Sequence, residues 1–273
     1  MMQGWEEALR EIVEERRRVV MILGAVDTGK TTLTAYLANE LLKKGCSVGI
    51  VDADIGQSHI GPPTTIALGV PKEPFPTLDE VEPERMYFVG STSPRGHLLP
   101  ILTGTKLMVE EADTDFVLID TTGLIRNAGL ALKTHKIELV DPDLILALQR
   151  GKELEEVLAP FSFKRVLRLG VSSRVRVKGR GRRRALRERA FRKYFKDSKE
   201  IALDRGEVLM PLQKLKTEQL VGLADGKNHL LGLGIVLGEN LEIVKILSPV
   251  EEGIKIIQAG SIRVSMEGKE TNI

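Results

Sequence analysis

Residues Gly24, Ala25, Val26, Asp27, Thr28, Gly29, Lys30 and Thr31 match G-x-x-x-x-G-K-[ST], and each member of that spacing has a physical task. Glycines let the loop curl until backbone N–H groups converge on phosphate oxygens, and a helix starting there aims its N-terminus at the same charge. Lys30 then reaches the β- and γ-phosphates, and the Thr31 hydroxyl is placed to ligate Mg²⁺. With Thr32, this loop is the candidate site for a nucleoside triphosphate.

Two acidic constellations accompany it. Asp52-Ala-Asp54-Ile-Gly56-Gln57 closes an apolar strand, at the sheet edge that faces the ligand crevice in open α/β folds. Strand alternation predicts that Asp52 and Asp54 point the same way, able to hold Mg²⁺ or to accept the proton of an attacking hydroxyl. Asp120-Thr-Thr-Gly123 follows the strand FVLID, where a carboxylate serves Mg²⁺ through water. The expected metal set is therefore Thr31, Asp52, Asp54 and Asp120. Turns capped by carboxylates would use the same residue types.

Charge supplies the next signal. Residues 164–193 hold 14 Lys/Arg against Glu188 alone, while the rest of the chain has 26 basic and 37 acidic residues. The basic set includes Arg174, Arg176, Lys178, Arg180, Arg182, Arg183, Arg184, Arg187, Arg189, Arg192 and Lys193. On a helix, Arg183 and Arg187 share a face and can fork phosphate oxygens as a lid. The remaining charge exceeds what one triphosphate needs and suits a nucleic-acid backbone or a solvated helix face. Aromatic residues are only 4%, so extensive base stacking is not expected; the candidate platforms are Phe161, Phe163, Phe191, Tyr194 and Phe195.

The elements that must position these groups are legible from periodicity. An amphipathic helix over 5–18 leads into VVMIL, a run suited to a strand buried on both faces, and a helix stopped by Gly45 leads into SVGIVDAD. That is a βαβ unit, and it implies a parallel sheet. Further strands are predicted at 86–90, 116–120, 143–148 and 165–169, with helices at 98–112 and 127–139 and a basic helix at GRRRALRERAFRKYF. Beyond about residue 200, short Gly-rich strands predict a small antiparallel barrel or sandwich. The expected domains are 1–200, with an Arg-rich lid at about 174–195, and 201–273.

Composition excludes other classes. Cys46 alone cannot build a disulfide framework, four scattered histidines lack metal-ligand spacing, and the longest apolar stretch is far too short to span a bilayer. The N-terminal stretch lacks a signal-peptide core, so a cytoplasmic protein without membrane association is expected.

In order, GAVDTGKTT, VDADIGQSHIGPPTTIALG, GSTSPRGHLLPIL with IDTTGLI, and RRRALRERAFRKYF resemble the P-loop polynucleotide 5′-hydroxyl kinases of RNA processing. These include the kinase of the eukaryotic mRNA 3′-end cleavage and tRNA splicing machinery and the kinase of ribosomal RNA spacers; this chain looks like an archaeal-type relative. The resemblance implies a P-loop kinase core with a C-terminal β domain. It also implies γ-phosphate transfer from ATP, with Mg²⁺ or another divalent cation, to single-stranded RNA or DNA ending in a 5′-hydroxyl. By position, Asp54 matches the acid that activates the hydroxyl, Gln57 stands beside it, and Thr92, Ser93, Arg95 and Gly96 match a clasp on the acceptor end. Gln149 and Arg150 match residues that receive the terminal nucleotide, and Arg183 and Arg187 match the lid that, with Lys30, neutralises charge on the transferring phosphate. Leu124 stands where many relatives place a base-stacking Trp, which weakens the expected discrimination between RNA and DNA. About 18 residues precede the first strand, so the N-terminal β domain of the larger eukaryotic members is not expected.

Two other readings compete. DTTG also resembles the strand-end motif of nucleotide-switch GTPases and partner-regulating ATPases, although no N/T-K-x-D guanine motif follows a later strand. An RNA-binding subunit that holds ATP without turnover would carry many of the same residues. The protein partners are not specified by any of these signals.

Overall fold

The run VVMIL becomes strand β1 (Val19–Gly24), which sends Val19, Met21 and Leu23 into one core and Val20 and Ile22 into another. A strand apolar on both faces must be covered on both, and here helices supply the cover. The computed structural model describes residues 2–173, 175 and 177–273; Arg174 and Arg176 of the basic segment lie outside the described residues.

Around β1 the chain runs α1 (Met2–Glu14), α2 (Lys30–Lys43), β2 (Val48–Ala53), β3 (Thr65–Gly69), β4 (Arg85–Phe88), α3 (Leu98–Glu111), β5 (Phe116–Thr121) and α4 (Ala128–Val140). It continues through β6 (Leu144–Gln149), α5 (Glu155–Leu158), β7 (Val166–Gly170) and α6 (Arg180–Tyr194). Among the described residues one seven-stranded sheet has the order β4-β3-β2-β5-β1-β6-β7. One face packs on α3, α4 and α5, and the other on α1 and α2. Gly45, at φ 78°, ends α2 in a left-handed turn that few other residues adopt without strain.

All strands of this sheet run parallel except β3, which is not among the strands the periodicity predicts. It is antiparallel to β2 and to β4. The eleven residues 54–64 between β2 and β3 are too few for the crossover that a parallel return needs, so the chain doubles back.

The C-terminal segment forms β8 (Lys199–Asp204), β9 (Gln219–Ala224), β10 (Leu230–Glu239), β11 (Ile243–Ser248), β12 (Ile256–Val264) and β13 (Glu270–Asn272). Among the described residues they make one antiparallel sheet, ordered β13-β12-β9-β10-β11-β8, where a barrel or sandwich was anticipated. A second sheet is not needed because other parts cover both faces. Leu220, Leu233, Ile235 and Ile262 pack on Phe191 of α6 and on Phe88, and Val221, Leu223 and Val244 pack beneath Val208, Leu215 and Ile254.

Phe88 wedges the two sheets together. A Cβ built on Gly222 would lie 2.7 Å from its ring, and one on Gly90 would lie 2.8 Å from the Gly260 Cα, so glycines are required for this approach. The Ser261 N–H donates to the Gly90 carbonyl at 2.8 Å, which ties the C-terminal sheet to the loop after β4.

Candidate active site

The phosphate loop is shaped by two left-handed residues, Asp27 at φ 54° and Gly29 at φ 90°, the latter opening α2. Lys30 Nζ and Thr28 Oγ1 both donate to the Ala25 carbonyl, at 3.0 and 2.9 Å. A Cβ on Gly24 would sit 2.4 Å from Thr28 Oγ1. Above the loop lies a cavity of about 620 Å³, floored by Val26 to Thr32. Burial lowers the Lys30 pKa, while Asp120, Asp54 and Asp27 work against that shift.

Asp120, in register beside Asp52, accepts the Thr31 hydroxyl on Oδ2 at 2.6 Å. Its Oδ1 is buried and has no hydrogen-bond partner among the described residues. Burial pushes the Asp120 carboxyl upward in pKa, against the nearby Lys30 charge.

The expectation that Asp52 and Asp54 share one direction is corrected. β2 ends at Ala53, so alternation stops before Asp54. Asp54 lines the cavity from a turn in which its Oδ1 accepts the Gly56 and Gln57 N–H groups, each at 3.1 Å. Asp52 is buried behind it. Its Oδ2 accepts the His59 and Ile60 N–H groups at 2.6 and 3.0 Å, and its Oδ1 accepts the Asp54 N–H. Burial and the nearby Asp120 lift its pKa to about 6. Asp52 thus folds the loop that carries Asp54 and is no cavity ligand, because its oxygens are occupied by backbone donors.

Thr92 and Pro94 line the cavity beside Gln57, whereas Ser93, Arg95 and Gly96 are exposed at its rim. Gly56 permits this closeness, since a Cβ there would lie 2.7 Å from the Thr92 carbonyl oxygen. The segment joining β7 to α6 folds over the phosphate loop: the Lys178 N–H donates to Asp27 Oδ2 at 2.9 Å, and Arg183 donates to the same oxygen at 2.7 Å. Gln57 Nε2 reaches the Arg183 carbonyl at 3.3 Å, so α6 roofs the cavity from one wall to the other. Arg187 also lines the cavity, and its guanidinium pairs with Glu270 of β13. Tyr194 anchors the far end of α6, its hydroxyl accepting the Leu233 N–H at 2.8 Å, with Phe195 edge-on beside it.

A phosphate loop, a buried strand-end acid and an arginine roof in this topology have known counterparts. The model of the mRNA cleavage and polyadenylation factor CLP1 P-loop matches residues 24–197. The chain belongs to the CLP1 P-loop family. A Methanocaldococcus jannaschii protein named polyribonucleotide 5′-hydroxyl-kinase is 34% identical, over 98% of this chain and 93% of that protein. A Pyrococcus abyssi protein of the same name is 39% identical, over 93% of this chain and 73% of its own length. In fold, the chain resembles the solved wild-type Clp1p–Pcf11p (454–563) complex with a TM-score of 0.75 at 17% identity, covering 96% of this chain and 79% of that one.

In this CLP1 P-loop family member, Gln149 and Arg150 stand apart from Gln57 and Thr92. Gln149 ends β6 and Arg150 follows it; β6 lies across β1 and β5 from β2, and neither residue lines the cavity. Gln149 binds Glu155 at 2.8 Å, and Arg150 donates to the Asp27 carbonyl. Leu124 folds back onto Gly129 at the start of α4. Phe161 is core and Phe163 is 79% exposed just before β7 begins, at the sheet edge opposite the cavity.

Sequence reasoning missed four residues at or beneath the site. His59 lines the cavity, and its ring nitrogen lies 3.0 Å from Asp79. Burial pulls its pKa down, but Asp79 and Asp52 outweigh this and raise it to about 9. Beneath the carboxylates, Lys133 donates to Thr121 Oγ1 and the Thr122 carbonyl, and Lys136 Nζ is buried without a partner among the described residues. Trp5 of α1, a helix that packs on α2 and β7, is the fourth, and it also lines the cavity. Periodicity places these four on helices and turns without saying what lies opposite them.

Proposed function

We propose that the chain is an ATP-dependent polynucleotide 5′-hydroxyl kinase that transfers the γ-phosphate of ATP to the 5′-oxygen of RNA, and of DNA as well. The observation that carries this reading is a single cavity bringing the phosphate loop, Asp54 and the basic α6 together. The relatives named polyribonucleotide 5′-hydroxyl-kinase support it over most of the chain.

The triphosphate rests on the amides of Gly24 to Thr32, with Lys30 beside its β- and γ-oxygens. Asp54, held by two amides, takes the proton as the 5′-oxygen attacks the γ-phosphorus in line; the bond from phosphorus to the β–γ bridging oxygen breaks and ADP leaves. Lys30, Arg183 and Arg187 offset the charge spread over the transferring group. Gln57, Thr92, Ser93, Arg95 and Gly96 hold the acceptor strand, and the exposed arginines of α6 meet its backbone. Arg150 braces the loop from the other side through the Asp27 carbonyl, while Gln149 is held by Glu155.

Hard oxygen donors suit Mg²⁺. The unpartnered Asp120 Oδ1, the Thr31 hydroxyl and Asp54 would hold it, with water and phosphate oxygens completing its shell, and it would supply charge neutralisation at the β- and γ-phosphates. No group of three or more His, Cys, Asp or Glu among the described residues forms a metal site by itself. Among those residues no helix is long and apolar enough to cross a membrane, and a cytoplasmic site of action fits the reading.

The test is transfer of label from γ-labelled ATP to short 5′-hydroxyl RNA and DNA, with Mg²⁺ and 5′-phosphorylated controls. Label on the 5′-hydroxyl strands alone is the expected result. ATP hydrolysis without label on either nucleic acid would transfer the case to a nucleotide switch.

A further inference from the structure

The basic helix α6 is carried by the C-terminal sheet. Phe191 is buried against Leu220, Leu233, Ile235 and Ile262, and the Tyr194 hydroxyl accepts the Leu233 N–H. The turn between β12 and β13 closes on the same helix. Gly268 in that turn has φ 77°, and a Cβ on it would lie 2.5 Å from the Glu188 carbonyl oxygen, so turn and helix meet backbone to backbone. Just beyond it, β13 lays Glu270 against Arg187.

Glu270 grips that guanidinium along one edge. Arg187 Nε donates to Oε1 and Oε2 at 2.8 and 3.0 Å, and Nη2 donates to Oε1 as well. The grip has its own support, because Glu270 pairs in register with Val264 of β12 and Arg184 donates to its carbonyl at 3.4 Å. Arg187 lines the cavity and Glu270 does not, so the carboxylate stands outside the space that a phosphate enters. It leaves the Nη1 hydrogens and one on Nη2 for that space. Arg183 is held differently, since its partner Asp27 lines the cavity and meets an incoming phosphate directly.

We infer that Glu270 is a positioning residue for phosphoryl transfer: from the C-terminal sheet it holds the Arg187 guanidinium oriented toward the transferring phosphate before substrate arrives. The inference rests on the proposed kinase reading. It extends the transfer centre to a residue of the C-terminal sheet that acts only through Arg187. An arginine ordered in advance gives up no further rotamer freedom as charge develops, so the benefit falls on the transition state more than on ATP binding.

The test is a double-mutant cycle of wild type, Glu270→Gln, Arg187→Ala and the double variant, each checked for folding by circular dichroism, with steady-state transfer and calorimetric ATP binding measured for all. Glu270→Gln is expected to lower kcat about 10- to 100-fold, the scale on which a misplaced group costs rate, with the Kd for ATP within about 2-fold. In the Arg187→Ala background the same substitution is expected to change kcat by less than about 2-fold, since the group it positions is gone. Glu270→Asp, which keeps the charge and withdraws it by one methylene, is expected to share the selective loss of kcat. An unchanged kcat, equal losses in both backgrounds, or matching losses of kcat and ATP affinity would each overturn the assignment. A faster Glu270→Gln enzyme would overturn it too, by showing that the carboxylate withholds Arg187. A wild type that hydrolyses ATP and labels no oligonucleotide would defeat the kinase reading alone; the same cycle read in hydrolysis then decides the positioning role, and an unchanged rate in Glu270→Gln would defeat that as well.

Discussion

Arg183 of α6 donates to the carboxylate of Asp27 in the phosphate loop at 2.7 Å, and the Lys178 N–H reaches the same oxygen. The roof is therefore latched to the floor by an anion of the protein itself. An incoming phosphate offers Arg183 a competing and more highly charged partner.

Asp27→Asn loosens that latch. Without nucleotide, trypsin is expected to cleave within residues 177–184 several-fold faster than in wild type, with the difference shrinking in ATP. Equal cleavage rates would show that other contacts hold the roof.

Lys30 and Asp54 separate binding from chemistry. Lys30→Ala is expected to abolish transfer and weaken ATP binding, whereas Asp54→Asn leaves ATP affinity within about 3-fold and slows transfer by about 10²- to 10⁴-fold, the usual worth of a general base. Parallel loss of ATP affinity in the two variants would contradict the role given to Asp54.

Gly56→Ala places a Cβ 2.7 Å from the Thr92 carbonyl, a backbone atom with little room to retreat. The clasp loop shifts outward, and the KM for the oligonucleotide is expected to rise about 10-fold while that for ATP stays within about 2-fold. Steady-state kinetics with each substrate varied in turn distinguishes the two, and a rise in the ATP term alone would sink the assignment.

Glu270 holds Arg187 from the C-terminal strand, with both side chains less than a fifth exposed. Glu270→Gln leaves that guanidinium without its counter-charge and is expected to cost about 1–3 kcal/mol in denaturant unfolding. ATP affinity should not fall, because Arg187 is released toward the cavity.

Lys136 is held by burial at a pKa of about 7, against the pull of Asp54, Asp52 and Asp120. Unfolded, a lysine binds its proton up to about pH 10.4, so the unfolded state carries more protons between these values, and stability contributed through Lys136 rises with pH across that window. Lys136→Met is expected to stabilise the fold by about 1–3 kcal/mol at pH 7, with the gain shrinking toward pH 10. Urea unfolding of both proteins at pH 7 and pH 9 measures this, and a constant difference would place the Lys136 charge in contact with a partner.

Local signals carried much of this molecule. The phosphate loop was readable because its chemistry lies within eight consecutive residues, and β1, β5 and β6 were readable because a strand covered on both faces needs an unbroken apolar run. The reversed β3 was not readable: five residues carry little pattern, and their direction depends on the length of the preceding turn.

Beyond that, residue type and spacing determined that the chain carries a triphosphate loop, two strand-end acids and an arginine helix. Tertiary structure decided which groups face the same space. It turned Asp52 to backbone amides and Asp54 to the cavity, placed Gln149 and Arg150 across the sheet from Asp54 and Gln57, and brought Trp5, His59 and Lys136 close to the phosphate loop and its acids. Burial and facing partners arise from contacts between segments distant in the chain, and short-range spacing does not encode them.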